Sequence, residues 1–248
     1  MFDIHAHLCF PEFERDREAV VEQSEGRIRG VLVSSCRLEE GHCVLELTKK
    51  HPCFLFASIG FHPTEGDEPE KIIELIKKSR EQITAIGEVG LDYHWEQDQK
   101  KREKQKGIFQ KFISLAQLLK KPLVIHSWDA EREAFEMVKE GGVEAAFHCF
   151  TGEKDLALEI ADNGFFVSIS TNVIFSKKIR KTAQSIPLDR LLLETDSPFL
   201  DPDRQRKRNT PDNILLSAQK IAELRKIPVD EVTTAALENA KRLFGLPL

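Results

Sequence analysis

The sequence has little from which a membrane protein or a disulfide-stapled domain could be built. Its 248 residues include five cysteines, an odd number with no C-x-x-C pair, so we expect no disulfide framework and a reducing compartment. No apolar run approaches the roughly 18 residues that a transmembrane helix needs. The first apolar residues are interrupted by Asp3 and two histidines, which is unlike a signal peptide. We therefore predict a cytoplasmic protein with no membrane partner.

The chain also lacks a strong excess of either charge. It carries 36 lysines and arginines against 41 aspartates and glutamates, a formal net charge of −5. This balance argues only weakly against binding to nucleic acid, because the local charge around a site matters more than the total. Nothing in the composition separates one part of the chain from another, so we predict a single domain over residues 1–248.

Short apolar segments alternate with amphipathic, helix-period segments from one end of the chain to the other. Such alternation predicts βαβ units and a parallel sheet buried on both faces. Eight units in a chain of this length favour a single-domain (β/α)8 TIM-like barrel of the α/β class, followed by a C-terminal helical extension over residues 230–244. The predicted strands cover residues 2–7, 30–35, 54–61, 85–90, 122–126, 143–148, 165–170 and 191–196.

Histidines and carboxylates stand at the ends of several predicted strands. Because the C-terminal ends of all eight barrel strands meet at one mouth, these side chains should converge there. Nitrogen and oxygen ligands of this kind suit zinc, magnesium or manganese, and six of them exceed what one tetrahedral ion needs. We predict two divalent ions with a carboxylate such as Glu88 between them. The six candidate ligands are His5, His7, Glu88, His126, His148 and Asp196.

Each of these residues has an alternative role. A single histidine could be a core or rim residue, and Asp196 could cap the following helix. Six such side chains at one end of one barrel would be costly to bury without a partner. The joint pattern therefore favours a metal site, although each member alone does not establish it.

Six motifs, in order along nearly the whole chain, resemble the TatD family of metal-dependent deoxyribonucleases within the amidohydrolase superfamily. They read FDIHAHL, IGFHP, AIGEVGLDYH, KPLVIHS, FHCFTG and LLLETDSPFL. The resemblance implies a TIM-like barrel with one to three divalent ions at its mouth. It also implies that phosphodiester bonds in DNA are hydrolysed, often from the 3′ end.

The resemblance further assigns individual residues. It implies that His5, His7 and Asp196 bind one ion, and that Glu88 bridges to a second. It places His62 beside the scissile phosphate. The two histidines that would hold the second ion are His126 and His148.

Two positions depart from the family pattern. Trp128 stands where family members usually have arginine, and Thr210 stands where the late loop usually has glutamate. The first change removes a cation from the mouth and the second removes a carboxylate. Neither touches a predicted metal ligand, so the departures concern substrate choice and rate.

Catalysis in such a site would use metal ions to neutralise the phosphodiester and to ionise water. We expect Asp196 to act as general base, with Glu88 at the metals and His62 binding the phosphate or protonating the leaving oxygen. Trp128 and Tyr93 could stack on a terminal base, although Trp128 could equally be a hydrophobic plug at the rim.

The late basic run could hold neighbouring phosphates through Arg206 and Arg208, with Lys207 between them. A solvated loop explains the same run about as well. We expect Cys149 to turn away from the metals and pack in the core, because it follows His148 on a strand.

The predicted function is a divalent-metal-dependent hydrolase of DNA, a 3′ exonuclease on single-stranded ends, in a protein for which we favour a monomer. The alternative is an enzyme of the same superfamily that acts on a small ester, amide or phosphoester. Many such enzymes bridge their metals with a carboxylated lysine, whereas Glu88 stands here, which favours the nuclease. A binding protein with a relic metal site is the third hypothesis, and the complete ligand set argues against it.

Overall fold

The computed structural model of the chain describes residues 1–66, 68–203 and 208–248. Eight parallel strands form one sheet, in which each strand pairs with the next along the sequence. The sheet confirms the predicted barrel of the TIM type. The strands are β1 (Phe2–Ala6), β2 (Gly30–Ser35), β3 (Leu55–Phe61), β4 (Ile83–Gly90), β5 (Leu123–His126), β6 (Ala145–Phe147), β7 (Phe166–Ile169) and β8 (Leu191–Leu193).

The first strand and the segment after the last strand bring the sheet around on itself. The backbone N–H of Asp196 donates to the carbonyl of His5 at 3.0 Å, and that of His7 donates to Ser197 at 2.7 Å. Ladder pairing of β8 stops at Leu193, three residues before the predicted end. Asp196 then adopts a left-handed backbone conformation with φ of 55°. The closure therefore places Asp196 directly beside the two histidines of the first motif.

Helices cover the outside of the barrel and close one end of it. Within the described residues the α-helices are α1 (Arg17–Glu25), α2 (Leu38–Lys50), α3 (Pro69–Lys78), α4 (Gln99–Leu119), α5 (Glu131–Gly141), α6 (Lys154–Asp162), α7 (Lys177–Ser185), α8 (Ile214–Arg225) and α9 (Val229–Phe244). The last of these is the predicted C-terminal extension.

The apolar core has two parts. One lies between the strands and the surrounding helices. The other fills the barrel interior, where inward side chains such as Phe2 and Leu192 meet Leu243 and Phe244 of α9. In the part of the chain that the structure describes, α9 closes the end at which the strands begin, and the opposite mouth of the barrel is open.

The expectation of no disulfide is contradicted, since the structure joins Cys9 to Cys43. The barrel brings the loop after β1 against α2, a proximity that spacings along the sequence do not reveal. Among the described residues, no helix is both long enough and apolar enough to cross a membrane. The cytoplasmic location and the monomeric state stay predictions.

Candidate metal centre

A cavity of about 600 Å³ opens at the mouth where the strands end. Five of the six predicted ligands line it, and His5 lies fully buried beneath. The five are His7, Glu88, His126, His148 and Asp196. The six residues come from three strands, β1, β4 and β5, and from the three segments that follow β1, β6 and β8, and they converge as the barrel topology requires.

His5, His7 and Asp196 form one set of donors. The Nε2 atoms of His5 and His7 are 3.0 Å apart, and Oδ1 of Asp196 lies 3.8 Å and 3.5 Å from them. His5 is held inside β1, and the backbone bond from Asp196 to His5 positions the carboxylate. Three converging donor atoms at these separations can share one ion.

Glu88, His126 and His148 form a second set. Glu88 Oε1 lies 2.7 Å from His126 Nδ1 and 2.8 Å from His148 Nε2, and the two nitrogens are 3.3 Å apart. The other carboxylate oxygen, Oε2, lies 3.3 Å from His5 Nε2 and 3.4 Å from His7 Nε2. Glu88 therefore directs one carboxylate oxygen to the histidines of its own set and the other oxygen to the histidines of the first set.

The donors fit divalent ions. Zinc binds imidazole nitrogen and carboxylate oxygen at about 2.0–2.2 Å, so tetrahedral ligand atoms stand roughly 3–3.5 Å apart. Most separations in both sets are close to this range. Imidazole and carboxylate are also the ligands that borderline divalent metals accept. A cluster this deeply buried would be costly without compensating charge.

The charges in the cluster compensate each other. Burial would raise the pKa of Glu88, but the neighbouring His148 and His62 and hydrogen bonds from His126 and His148 hold it well below its usual value. Burial would lower the pKa of His148, but Glu88 and Glu194 raise it well above its usual value. Protons on imidazole and a metal ion are therefore competing partners for the same carboxylates.

Two carboxylates that face the second ring nitrogens of the candidate ligand histidines are not predicted from the sequence. Asp92 Oδ2 lies 3.0 Å from His126 Nε2, and Glu194 Oε1 lies 3.4 Å from His148 Nδ1. Both carboxylates are buried. Metal-binding histidines usually pair their second nitrogen with such a group. The available signal in the sequence was position, because Asp92 comes two residues after the predicted fourth strand and Glu194 lies near the end of the predicted eighth strand.

His62 lies on the loop after β3, with its Nε2 atom 3.5 Å from Oε1 of Glu88. Its Nδ1 atom is 2.7 Å from Oγ1 of Thr64. Burial and the neighbouring His126 lower the pKa of His62 to about 3. A neutral imidazole can donate one hydrogen bond to a phosphate but carries no charge to it, and it is a poor proton donor for a leaving oxygen.

Of the residues predicted to contact the substrate, some line the cavity and others do not. Trp128 lines the cavity. Tyr93 does not line it, because its hydroxyl donates to Glu133 at 2.6 Å. Arg208 points away and pairs with Asp16 at 2.7 Å.

The remaining predictions at the mouth have different outcomes. Arg206 lies outside the described residues. Cys149 lines the cavity instead of packing in the core, because β6 ends at Phe147 and Cys149 turns with φ of 41°. Strand alternation no longer governs its direction there.

Comparison with known proteins identifies the family of the chain. The family model described as TatD related DNase matches residues 2–245. The uncharacterized metal-dependent hydrolase YabD of Bacillus subtilis is 37% identical over 256 residues, with 99% of both chains covered. The human deoxyribonuclease TATDN3 is 32% identical over 259 residues, covering 98% of this chain and 94% of that protein.

A solved structure is also similar to this chain. The crystal structure of YJJV, a TatD homologue from Escherichia coli K12, matches with a TM-score of 0.89 at 26% identity, covering 100% of this chain and 98% of that one. The family match spans almost the whole chain and includes both donor sets. The chain therefore belongs to the TatD family of metal-dependent hydrolases.

Proposed function

We propose that the protein hydrolyses phosphodiester bonds in DNA with two divalent ions, as a 3′ exonuclease on single-stranded ends. The observation that carries the proposal is Glu88, which offers one oxygen to each donor set. A carboxylate between two ions is the arrangement of two-metal phosphoryl chemistry. The name of the human relative, a deoxyribonuclease, supports DNA as the substrate.

Bound ions of this kind would neutralise the phosphate oxygens and make water ionise near neutral pH. The chain's own residues supply the remaining steps. Burial would raise the pKa of Asp196, but a hydrogen bond from His7 and the charge of His5 hold it below its usual value. Asp196 is therefore ionised at neutral pH and can accept the proton of the attacking water.

His62 has a positioning role in this proposal. Its Nε2 atom faces the cavity beside Glu88, where a neutral N–H would donate to a non-bridging phosphate oxygen. The cavity walls then orient the scissile bond, which converts a bimolecular reaction into attack within one complex.

The test uses metal-free protein reloaded with Mn²⁺, Mg²⁺ or Zn²⁺ and single-stranded oligonucleotides labelled at either end. We expect mononucleotides to leave from the 3′ end, and Glu88→Gln to abolish the reaction. The matched control is Glu144→Gln, since Glu144 is an exposed glutamate remote from the cavity. Turnover of a panel of small esters and phosphoesters without release of nucleotides would overturn the proposal in favour of the small-substrate alternative.

A further inference from the structure

Exposed aromatic side chains gather at the mouth of the cavity. Within the described ranges, the phenylalanine and tryptophan residues classed as exposed are Trp95 at 70%, Trp128 at 38% and Phe199 at 48%. All three line the same cavity as the predicted metal ligands. Large apolar rings left in water at one place usually mark a binding surface.

Trp128 presents a supported, flat ring. The imidazole of His94 stacks on its indole with centroids 4.0 Å apart and planes within 6°. Nδ1 of His94 lies 2.9 Å from Oδ2 of Asp129, so the backing ring has a carboxylate partner in this orientation. Trp95 stands edge-on to Trp128 at 6.2 Å and 84°. We call His94, Trp95 and Trp128 the aromatic platform.

The aromatic platform is tied to the metal centre through Asp92. One carboxylate oxygen of Asp92 accepts from the backbone N–H of Trp95 at 2.8 Å, and the other lies 3.0 Å from His126 Nε2. The loops that carry the two tryptophans are joined by a backbone bond from Tyr93 to Trp128 at 2.9 Å. A ligand on the platform would therefore lie at a defined distance from the donor atoms.

The described residues bring little positive charge to the lining of this cavity. In the part of the chain that the structure describes, Arg37 is the one lysine or arginine among the lining residues. It pairs with Glu40 at 2.7 Å and with Glu65 at 3.7 Å. Within the described lining, a phosphate other than the one at the metal centre would therefore find little neutralising charge, which favours apolar contact as a source of binding.

We propose that Trp128, backed by His94 and bordered by Trp95, stacks on one unpaired nucleobase next to the scissile phosphate and does so whatever the base. This inference rests on the proposed nuclease function and adds the group that the site recognises. Stacking on an aromatic ring tolerates any sequence because every base has a π-face. A base within a duplex is already stacked on both sides and must first be freed, which costs a few kcal/mol. The platform thus favours single strands.

The test compares kcat/KM for oligonucleotides that are intact with those that carry one abasic site, at the terminal or the penultimate 3′ position. For wild type we expect one of these abasic sites to lower kcat/KM about tenfold. Trp128→Ala should lower kcat/KM for the intact strand by a similar factor and leave that for the abasic strand unchanged. Trp128→Phe should keep most of the preference for the base.

The control variant is Leu118→Ala, which removes an exposed apolar side chain on α4 and should leave both substrates unaffected. Metal content measured on every variant guards against a damaged centre. The proposed stacking is overturned if wild type has the same kcat/KM for the intact and the abasic strands, or if Trp128→Ala lowers kcat/KM equally for both. If wild type cleaves no oligonucleotide at all, the proposed function fails and the platform fails with it.

Discussion

The four histidines predicted to bind metal differ in the groups that their second ring nitrogens face. We call Glu88, His126 and His148 the Glu88 set, and His5, His7 and Asp196 the Asp196 set. The second ring nitrogen of each histidine faces a carboxylate in the Glu88 set, and a hydroxyl or a thiol in the Asp196 set. A carboxylate makes imidazole a more basic ligand than a neutral partner does. The pairs are His126 with Asp92, His148 with Glu194, His5 with Ser34 at 3.1 Å and His7 with Cys36 at 3.8 Å. The two donor sets should therefore differ in affinity for the same ion.

Asp92→Asn tests this difference. The amide keeps an oxygen that can accept from Trp95 but removes the negative charge beside His126, so we expect metal affinity at the Glu88 set to fall by about 10–100-fold. Isothermal titration of metal-free protein with Zn²⁺ measures it. Asp162→Asn, at an exposed position at the end of α6, is the matched control. Equal affinities for wild type and Asp92→Asn would contradict the role of the carboxylate.

His62 should make the metal-free protein less stable in acid. Burial and the neighbouring His126 lower its pKa to about 3 in the folded state, against about 6.5 when unfolded. The unfolded chain thus takes up a proton below pH 6.5 that the folded chain refuses, and stability is lost as the pH falls from 6.5 towards 3. By pH 5 this amounts to about 2 kcal/mol.

The measurement is urea unfolding of metal-free wild type and His62→Gln at pH 7 and pH 5. The free energy of unfolding of wild type should fall relative to that of His62→Gln by about 2 kcal/mol between the two pH values. His42→Gln removes an exposed histidine on α2 and controls for the substitution itself. A difference between wild type and His62→Gln that stays constant with pH would show that His62 protonates freely in the folded protein.

At the scale of elements, the repeated strand–helix units can be predicted from the sequence, whereas the exact strand ends and the directions of single side chains cannot. Eight strand–helix alternations specify the barrel, and the barrel in turn brings strand-end residues such as His5 and Glu88 together. Element ends are less predictable, because β8 stops at Leu193 once the chain turns to place Asp196. The sequence predicts that Tyr93 can stack on a terminal base, yet its hydroxyl donates to Glu133 and the ring does not line the cavity. Only three-dimensional packing decides such directions.

The Cys9–Cys43 disulfide links the loop after β1 to α2. It closes a loop with a sequence separation of 34, for which chain entropy predicts a stabilisation of about 4 kcal/mol. We therefore expect the double variant Cys9→Ala/Cys43→Ala to unfold at lower urea concentration under oxidising conditions. Wild type with dithiothreitol should resemble the variant.

The control for this comparison is Cys53→Ala, because Cys53 is a free, exposed cysteine. It should unfold like wild type with or without reductant. If the double variant matches wild type in oxidising buffer, the two thiols are not joined in the native protein, and the reducing compartment expected from composition gains support.

At the scale of the whole molecule, the apolar interior and the candidate metal centre lie at opposite ends of the barrel. The end where the strands begin is filled by apolar side chains and closed by α9. The other end holds buried imidazoles and carboxylates, whose burial is favourable only when their charges are matched. A bound ion provides that match, so metal binding and global stability should be linked.

Metal removal should therefore lower the melting temperature. One ion present at 100 times its dissociation constant adds about 2.7 kcal/mol, which corresponds to roughly 5–10 °C for a domain of this size. Neighbouring carboxylates raise the pKa values of His126 and His148 despite their burial, and protons compete with metal more strongly as the pH falls. Calorimetry with Zn²⁺ and with EDTA should thus show a larger difference in melting temperature at pH 8 than at pH 6. For Glu88→Gln, the melting temperatures with Zn²⁺ and with EDTA should differ little at either pH. If the melting temperature of wild type is the same with and without EDTA, metal binding at this cluster does not contribute to the stability of the fold.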